Sequence, residues 1–245
     1  MTTDVEVAAR AADAAATVLL ELRSGDLSGR ALGDAGDAAA QRAILEVLRA
    51  ERPDDVVFSE EATDDRRRLD ADRVWIVDPL DGTREYGEPG RHDWAVHVAL
   101  WSAGDLAEAA VALPGLGVVL LTEPAPALPP RPDGPVRIAV SRTRPPAVAE
   151  AVAAALGGEL VPLGSAGYKT VAVARGEVDA YVHGGGMYQW DSAAPVAVAR
   201  AAGLTTCRLD GAPLVYNEPD PSLPDLVVCR PELAEGILAA VRSAR

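Results

Sequence analysis

The chain has 245 residues, 49% of them apolar and only 4% aromatic, enough to bury a core of small and branched aliphatic side chains and too much for a disordered protein. Its 23 basic and 37 acidic residues leave a net charge of −14, which repels a polyphosphate backbone and argues against a nucleic-acid polymer as partner. With no apolar run of about 18 residues, the length that spans a bilayer, no membrane partner is expected either.

In chain order, residues 4–23 predict an amphipathic helix. The acids at its start lack the basic opening and cleavage pattern of an export signal, so a cytoplasmic setting is expected. "SGDLSGRALGDAGDAAA" reads as a Gly- and Asp-rich loop whose last acid, Asp37, caps a second helix over 37–51, ending before Pro53. Short β-like runs follow: "VVFS" before Glu60, "VWIV" before Asp78, then "WAVHVALW", "LAEAAVAL" and "GVVLLT". The proline-rich "EPAPALPPRPDGP", residues 123–135, is taken as the boundary between an α+β lobe over 1–128 and a second lobe over 136–245.

Beyond it, elements alternate. "VRIAVS" predicts a strand, "PAVAEAVAAALGG" a helix closed by glycine, and "SAGYKTVAVARG" another helix. "VDAYVHGGG" runs from strand into a glycine turn, "WDSAAPVAVARAAG" is a helix stopped at Gly203, and "DLVVC" is a strand before the last helix. Strands alternating with helices imply an α/β layered second lobe. Cys207 and Cys229, far apart in apolar or mixed segments, have neither metal-ligand spacing nor a disulfide framework and are expected to be buried thiols.

The acids carry the chemistry. Glu60 and Glu61 follow one β-run, Asp78 and Asp81 end the next in "VDPLDGT", and Asp191 opens a helix after a glycine turn. Hard cations such as Mg²⁺ take oxygen ligands and complete their shell with waters and substrate phosphate oxygens. Pro79 removes a backbone donor, leaving the Leu80 carbonyl able to point inward. Gly82 allows close approach, and Thr83 starts a helix whose open N–H groups suit a phosphate. Taken singly, "DPLDG" is as readily a surface turn and Asp191 a helix cap. Together, each acid follows an apolar run, where strands present functional residues. Asp78 and Asp81 stand three apart with a proline between, which disfavours a phospho-aspartyl route and favours attack by metal-activated water.

These residues resemble a known family. "EE" at 60–61, "WIVDPLDGTREY" at 75–86 and "WDSAAPVAVARAAG" at 190–203 are similar to the lithium-sensitive, Mg²⁺-dependent phosphatases of the inositol monophosphatase superfamily. "DPLDGTREY" and "RHDWAVHVALW" are nearest the CysQ-type branch, the 3′-phosphoadenosine 5′-phosphate phosphatases. The resemblance implies a layered αβαβα sandwich with the active site between the lobes. It implies two or three Mg²⁺ ions on Glu60, Asp78, the Leu80 carbonyl, Asp81 and Asp191, with Asp78 bridging two of them. Gly82 and Thr83 would hold the scissile phosphate. Asp37 and Thr83 would orient or deprotonate the attacking water, with Glu60 counted in the catalytic set and Glu61 in a less defined role. Li⁺ is expected as an inhibitor. Where the family has T-x-x-D, this chain has Asp34 three before Asp37, which changes the network around that acid because an ionised aspartate only accepts.

The segment "LGSAGYKTVAVARGEVDAYVHGGG" resembles the part that lines the leaving-group pocket, making Gly164, Ser165 and Lys169 substrate candidates; Asp191, beyond it, is counted with them. The plainer readings are a helix cap for Ser165 and a solvated face for Lys169. Tyr188 could stack on adenine or cover the core, and His97, inside an apolar strand, reads as a core histidine. The expected partner is a small phosphorylated nucleotide or a sugar or cyclitol phosphate; a homodimer is left open. The alternatives are inositol monophosphatase or fructose-1,6-bisphosphatase activity, and a catalytically silent metal-binding regulatory module, against which the Asp37–Thr83 pair argues.

Overall fold

The computed structural model describes residues 2–244. Helix α1 (Asp4–Arg23) opens with a capping box in which the Thr3 side chain accepts from the Glu6 N–H and the Glu6 carboxylate accepts from the Thr3 N–H. Val7, Ala8, Ala11, Ala12, Ala15 and Leu19 recur at three- and four-residue spacing and form its buried stripe.

Helix α2 (Gly29–Glu51) starts two turns earlier than the sequence suggests. The stretch read as a loop is helical, and Asp37 lies inside the helix while Ser28 occupies the cap position. The misleading glycines serve contact rather than turning. A Cβ on Gly33 would sit 2.6 Å from the Thr83 methyl, and one on Gly36 would sit 2.7 Å from the Tyr86 ring and about 3 Å from Leu19 and Leu80. Gly36→Ala is therefore expected to destabilise the fold by about 1 kcal/mol, because overpacking against a fixed ring outweighs the gain in helix propensity. Urea unfolding reads this directly, and a raised midpoint would contradict the packing argument.

The first sheet runs in the order β1 (Val56–Ser59), β2 (Arg73–Asp81), β3 (Ala95–Ser102), β4 (Asp105–Leu113), β5 (Val118–Leu121). Only the β1–β2 pair is parallel. The short α3 (Thr83–Gly87) follows β2 directly. In the second half come β6 (Arg137–Ser141), α4 (Ala147–Leu156), β7 (Glu159–Leu163), α5 (Ala166–Ala174), β8 (Ala180–His183), β9 (Met187–Tyr188), α6 (Ala193–Ala201), β10 (Thr205–Cys207), β11 (Ser222–Leu223), β12 (Leu226–Cys229) and α7 (Ala234–Ser243). The second sheet has the order β10-β12-β8-β6-β7, with β6 parallel to both β7 and β8 and the other pairs antiparallel. β9 and β11 form a separate two-residue ribbon. β7 escapes sequence reading because Pro162 interrupts its pattern; its place at the sheet edge is where a strand tolerates proline.

Three apolar clusters define five layers. Trp75, Val77, Val96 and Val98 face α1 and α2. Val74, Ile76, Ala95 and Ala99, on the opposite face of the same strands, join α5, α6 and the inner face of the second sheet. Ile138, Val140, Val182 and Val227 pack outward on α4 and α7. The period-two alternation of β2 thus feeds two cores, which is why its sequence is apolar throughout. The layering is the αβαβα sandwich expected from the sequence. Among the described residues no helix is long and apolar enough to cross a membrane, and Cys207 and Cys229 are buried free thiols.

The segment after Glu61 is latched to the second half. Arg68 is fully buried with its guanidinium 3.9 Å over the Phe58 ring, pairing with Asp64 and donating to Asn217 and to the Glu218 carbonyl.

Candidate functional site

The site begins with an irregularity in β2. Asp78 stands opposite His97 and Asp81 opposite Ala95, so three steps along β2 match two along β3. In a regular strand two residues three apart face opposite sides; a bulge at Pro79 and Leu80 re-aims the second carboxylate. Asp78 Oδ1 accepts from the Leu80 N–H at 3.0 Å, and the Thr83 hydroxyl donates to the Leu80 carbonyl at 3.1 Å. Gly82 caps α3 at φ +88°, and a Cβ there would press on Ser165 and Trp94 at 3.1–3.3 Å, so both conformation and contact require glycine.

Glu60 follows β1, its N–H continuing the parallel pairing to the Val77 carbonyl. Asp191 arrives from the second half of the chain, its Oδ2 accepting from the Tyr188 N–H at 2.7 Å. Glu60, Asp78 and Asp191 each bring an oxygen within 4.8 Å of the others'. Asp78, Asp81 and His97 make a second such group, and Asp78 belongs to both. Asp81 is also held by the second half: it accepts from the Ser165 hydroxyl and the Gly167 N–H, each at 2.5 Å, and from the Ala166 N–H at 3.2 Å. Asp37 lies outside both groups.

Burial and mutual repulsion govern the charges here. Asp78 is raised well above the ordinary carboxylate range by burial, then by Asp81, Glu60 and Asp191. Glu60 reaches about 7 through desolvation and its acidic neighbours, although its own surface faces solvent. Asp191 is also pushed up to about 7, by burial and Asp81, with Lys169 opposing. Asp37 rises to about 7 through burial, Glu61 and Asp34, while the Thr83 hydroxyl pulls the other way. Asp34 itself is exposed, 3.8 Å from Arg30. Carboxylates held together against their own repulsion offer hard oxygen donors with uncompensated charge. That donor set fits a divalent cation.

The other sequence candidates sort unevenly. Ser165 is the N-cap of α5, accepting from the Tyr168 N–H while donating to Asp81. Lys169 is not a solvated face: it is buried, donates to the Gly164 and Ser165 carbonyls at 3.1 and 2.6 Å, and burial lowers its pKa to about 8. A Cβ on Gly164 would collide with Glu85 and Asp93, and its N–H donates to Asp93 at 2.5 Å. Tyr188 is half exposed and stacks on Trp190 at 4.8 Å between ring centres. The Tyr86 hydroxyl donates to the Leu19 carbonyl. A cavity of about 410 Å³ lies beside Thr83, lined by Arg30, Asp34 and Arg84.

Sequence reading did not single out the ionic bridge from Arg142 to Glu85 and Glu88, or the Arg91–Asp93 pair that supports Gly164. It also placed His97 in the core without a link to the acids. The imidazole is buried, kept below its usual pKa by desolvation with Asp81 opposing, and its Nδ1 lies 3.2 Å from the Trp190 carbonyl. The available signal was its place in β3, two residues before the strand partner of Ile76 and level with Asp78.

Comparison with known proteins places this architecture. The family model described as the inositol monophosphatase family matches residues 1–123 and 136–245, and the chain belongs to that family. A curated relative, the 3′-phosphoadenosine 5′-phosphate phosphatase of Mycobacterium leprae, is 50% identical over 254 residues, covering 98% of this chain and 94% of the relative. The 3′(2′),5′-bisphosphate nucleotidase CysQ of Escherichia coli K12 is 30% identical over 194 residues, covering 75% of this chain and 78% of the relative. Among solved structures, CysQ from Bacteroides thetaiotaomicron superposes with a TM-score of 0.79 at 24% identity, over 94% of this chain and 98% of that one. Inositol monophosphatase II from Staphylococcus aureus superposes with a TM-score of 0.81 at 19% identity, over 96% and 94%.

Proposed function

We propose that this protein is a Mg²⁺-dependent phosphomonoesterase that removes the 3′-phosphate of adenosine 3′,5′-bisphosphate, giving AMP and phosphate, and that it also accepts the sulfated analogue PAPS. The observation that carries this reading is the meeting of Glu60, Asp78 and Asp191 oxygens within 4.8 Å, in a chain 50% identical to a 3′-phosphoadenosine 5′-phosphate phosphatase. Glu60, Asp78, the Leu80 carbonyl, Asp81 and Asp191 would hold the ions, two or three in number, with Li⁺ as a competitor. When bound, such ions neutralise phosphate charge and make a water more acidic.

The rest falls to the chain's own groups. Gly82 and Thr83 hold the scissile phosphate through backbone N–H groups. Asp37, with its carboxyl near neutrality, takes the proton of the attacking water while the Thr83 hydroxyl fixes its orientation. Attack is in line with the leaving ribose oxygen, with no covalent phospho-enzyme. Lys169 holds the Gly164–Ser165 turn rigid where the leaving group docks. The exposed face of Tyr188, backed by Trp190 and three residues before Asp191, is the platform for adenine. A cleft between halves over 1–128 and 136–245, and a cytoplasmic setting, belong to the same reading.

The test is phosphate release from adenosine 3′,5′-bisphosphate, inositol monophosphate and fructose 1,6-bisphosphate, with Mg²⁺ and then with EDTA. The nucleotide is expected to be preferred and EDTA to abolish release. Tyr188→Ala is expected to raise KM for the nucleotide by about tenfold, the value of one stacked base, with KM for any inositol phosphate turnover unchanged. Preference for inositol phosphate would overturn the substrate; release from none would overturn the enzyme.

A further inference from the structure

His97 touches both halves of the site at once. It stands on β3 directly opposite Asp78, with Nδ1 3.8 Å from Asp78 Oδ2 and Nε2 3.5 Å from Asp81 Oδ2. Nδ1 is 3.2 Å from the carbonyl of Trp190, the residue before Asp191. A carbonyl only accepts, so Nδ1 carries the proton and donates it. The contact is made across the boundary between the first sheet and the turn that delivers Asp191.

The imidazole itself is not placed to be a ligand. A Cβ on Gly167 would collide with Nε2 and Cε1, so the backbone at the start of α5 is packed on that edge of the ring. Asp81 Oδ2, the oxygen nearest Nε2, already accepts from Ser165 and Gly167. Nε2 has no hydrogen-bond partner among the described residues, and its face is closed by packing. Asp191 is tied locally to Tyr188, its carboxylate accepting from the Tyr188 N–H and its own N–H donating to the Tyr188 carbonyl, and Tyr188 is half exposed. The buried Gln189 and Ser192 side chains bond to the second half of the chain, to Glu218, Asp220 and Tyr216, whereas the Trp190 carbonyl bond is the one that ties the turn to β3 beside Asp78.

We propose that His97 is a positioning residue: its Nδ1–H bond to the Trp190 carbonyl fixes Asp191 relative to Asp78 and thereby sets how tightly the acidic cluster grips a divalent ion. The inference rests on the metal-dependent reading above. It assigns the control of ion affinity to a side chain that touches neither ion nor substrate.

The test is Mg²⁺ binding by calorimetry, alongside the Mg²⁺ dependence of phosphate release, for the wild-type protein, His97→Leu, His97→Asn and His97→Gln. Loss of a bond that orients a ligand weakens metal affinity by about 10–100-fold. His97→Leu is expected to weaken Mg²⁺ binding by that factor, with kcat at saturating Mg²⁺ within about threefold of wild type. His97→Asn, whose amide N–H lies where Nδ1 was, is expected to restore most of the affinity; His97→Gln, which reaches only the Nε2 position, is not. Equal affinity in the Leu and Asn variants, or in the Asn and Gln variants should Leu fail to fold, would overturn the proposal. Absence of Mg²⁺ binding to the wild-type protein would instead overturn the reading on which it rests.

Discussion

Mg²⁺ is expected to raise the melting temperature of the wild-type protein, and Asp78→Asn to abolish that rise and turnover with it. For the wild type, Mg²⁺ at about 100 times its dissociation constant stabilises the folded state by ~2.7 kcal/mol, or roughly 5–10 °C for a chain of this size. Asp78 stands between Glu60 and Asp191 on one side and Asp81 on the other, so its replacement removes charge from the whole set of acids. The same substitution is expected to raise the melting temperature in EDTA, because it relieves a buried carboxylate crowded by Asp81, Glu60 and Asp191. Asp37→Asn is the contrast. Asp37 lies outside both close groups of ligand atoms, so the Mg²⁺ response should persist while kcat falls by about 10²–10⁴, the range for loss of a general base. Calorimetric scans of the three proteins with EDTA and with Mg²⁺ separate the roles. An Asp78→Asn protein with the full Mg²⁺ shift would refute the assignment of ligands.

The second large effect is a dependence of metal-free stability on pH. Asp37, Glu60 and Asp191 sit near 7 in the fold, and Asp78 is also raised, against about 4 for exposed carboxyls. The folded state therefore keeps protons that the unfolded chain releases. Stability from these groups is full below about pH 4 and is lost as pH rises through 7. Two other sets of groups act in the opposite sense at lower pH. His97 and His183, both held below their usual pKa, lose stability as pH falls below about 6.5. Arg-paired acids such as Asp4 and Asp179 do so below about pH 4. Lys169, lowered to about 8, acts in the opposite sense from about that pH upward, so the window from pH 6.5 to about 7.5 reports chiefly the cluster. Melting temperature in EDTA is expected to fall across it, and saturating Mg²⁺ to reverse the slope, since ions bind the deprotonated acids. A flat EDTA profile would show that the carboxylates do not repel one another as the geometry demands.

Much of the fold was legible in the chain. The strand runs before Glu60 and Asp78, the glycine-closed helices and the αβαβα layering follow from periodicity, stop signals and family resemblance. Where reading failed, a residue type served a purpose other than its usual one. Gly33 and Gly36 looked like loop formers and are helix contacts with Thr83 and Tyr86. Pro162 hid an edge strand. Asp37 looked like a cap because the turns before it were read as coil. For the site, the acids were visible because carboxylates after apolar runs are conspicuous. His97 was not, because a buried histidine in a strand has no local mark of what stands across from it, and Asp81 is brought beside its ring by the bulge that follows Asp78. Lys169 was misread on its plainer side because its carbonyl partners, Gly164 and Ser165, lie a turn before it at a cap.

The central helices α5 and α6 have a sheet on either side, and one apolar cluster runs from Val74 and Ile76 through Val171 and Val198 to Tyr181 and Val228. Two halves built around a common interior cannot be separated as autonomous modules, because whichever retained these helices would expose one of their greasy sides. A cut in the proline-rich connector would leave a nicked but undivided particle. Melting, and any response of it to Mg²⁺, are then expected to belong to one cooperative body, not to either half.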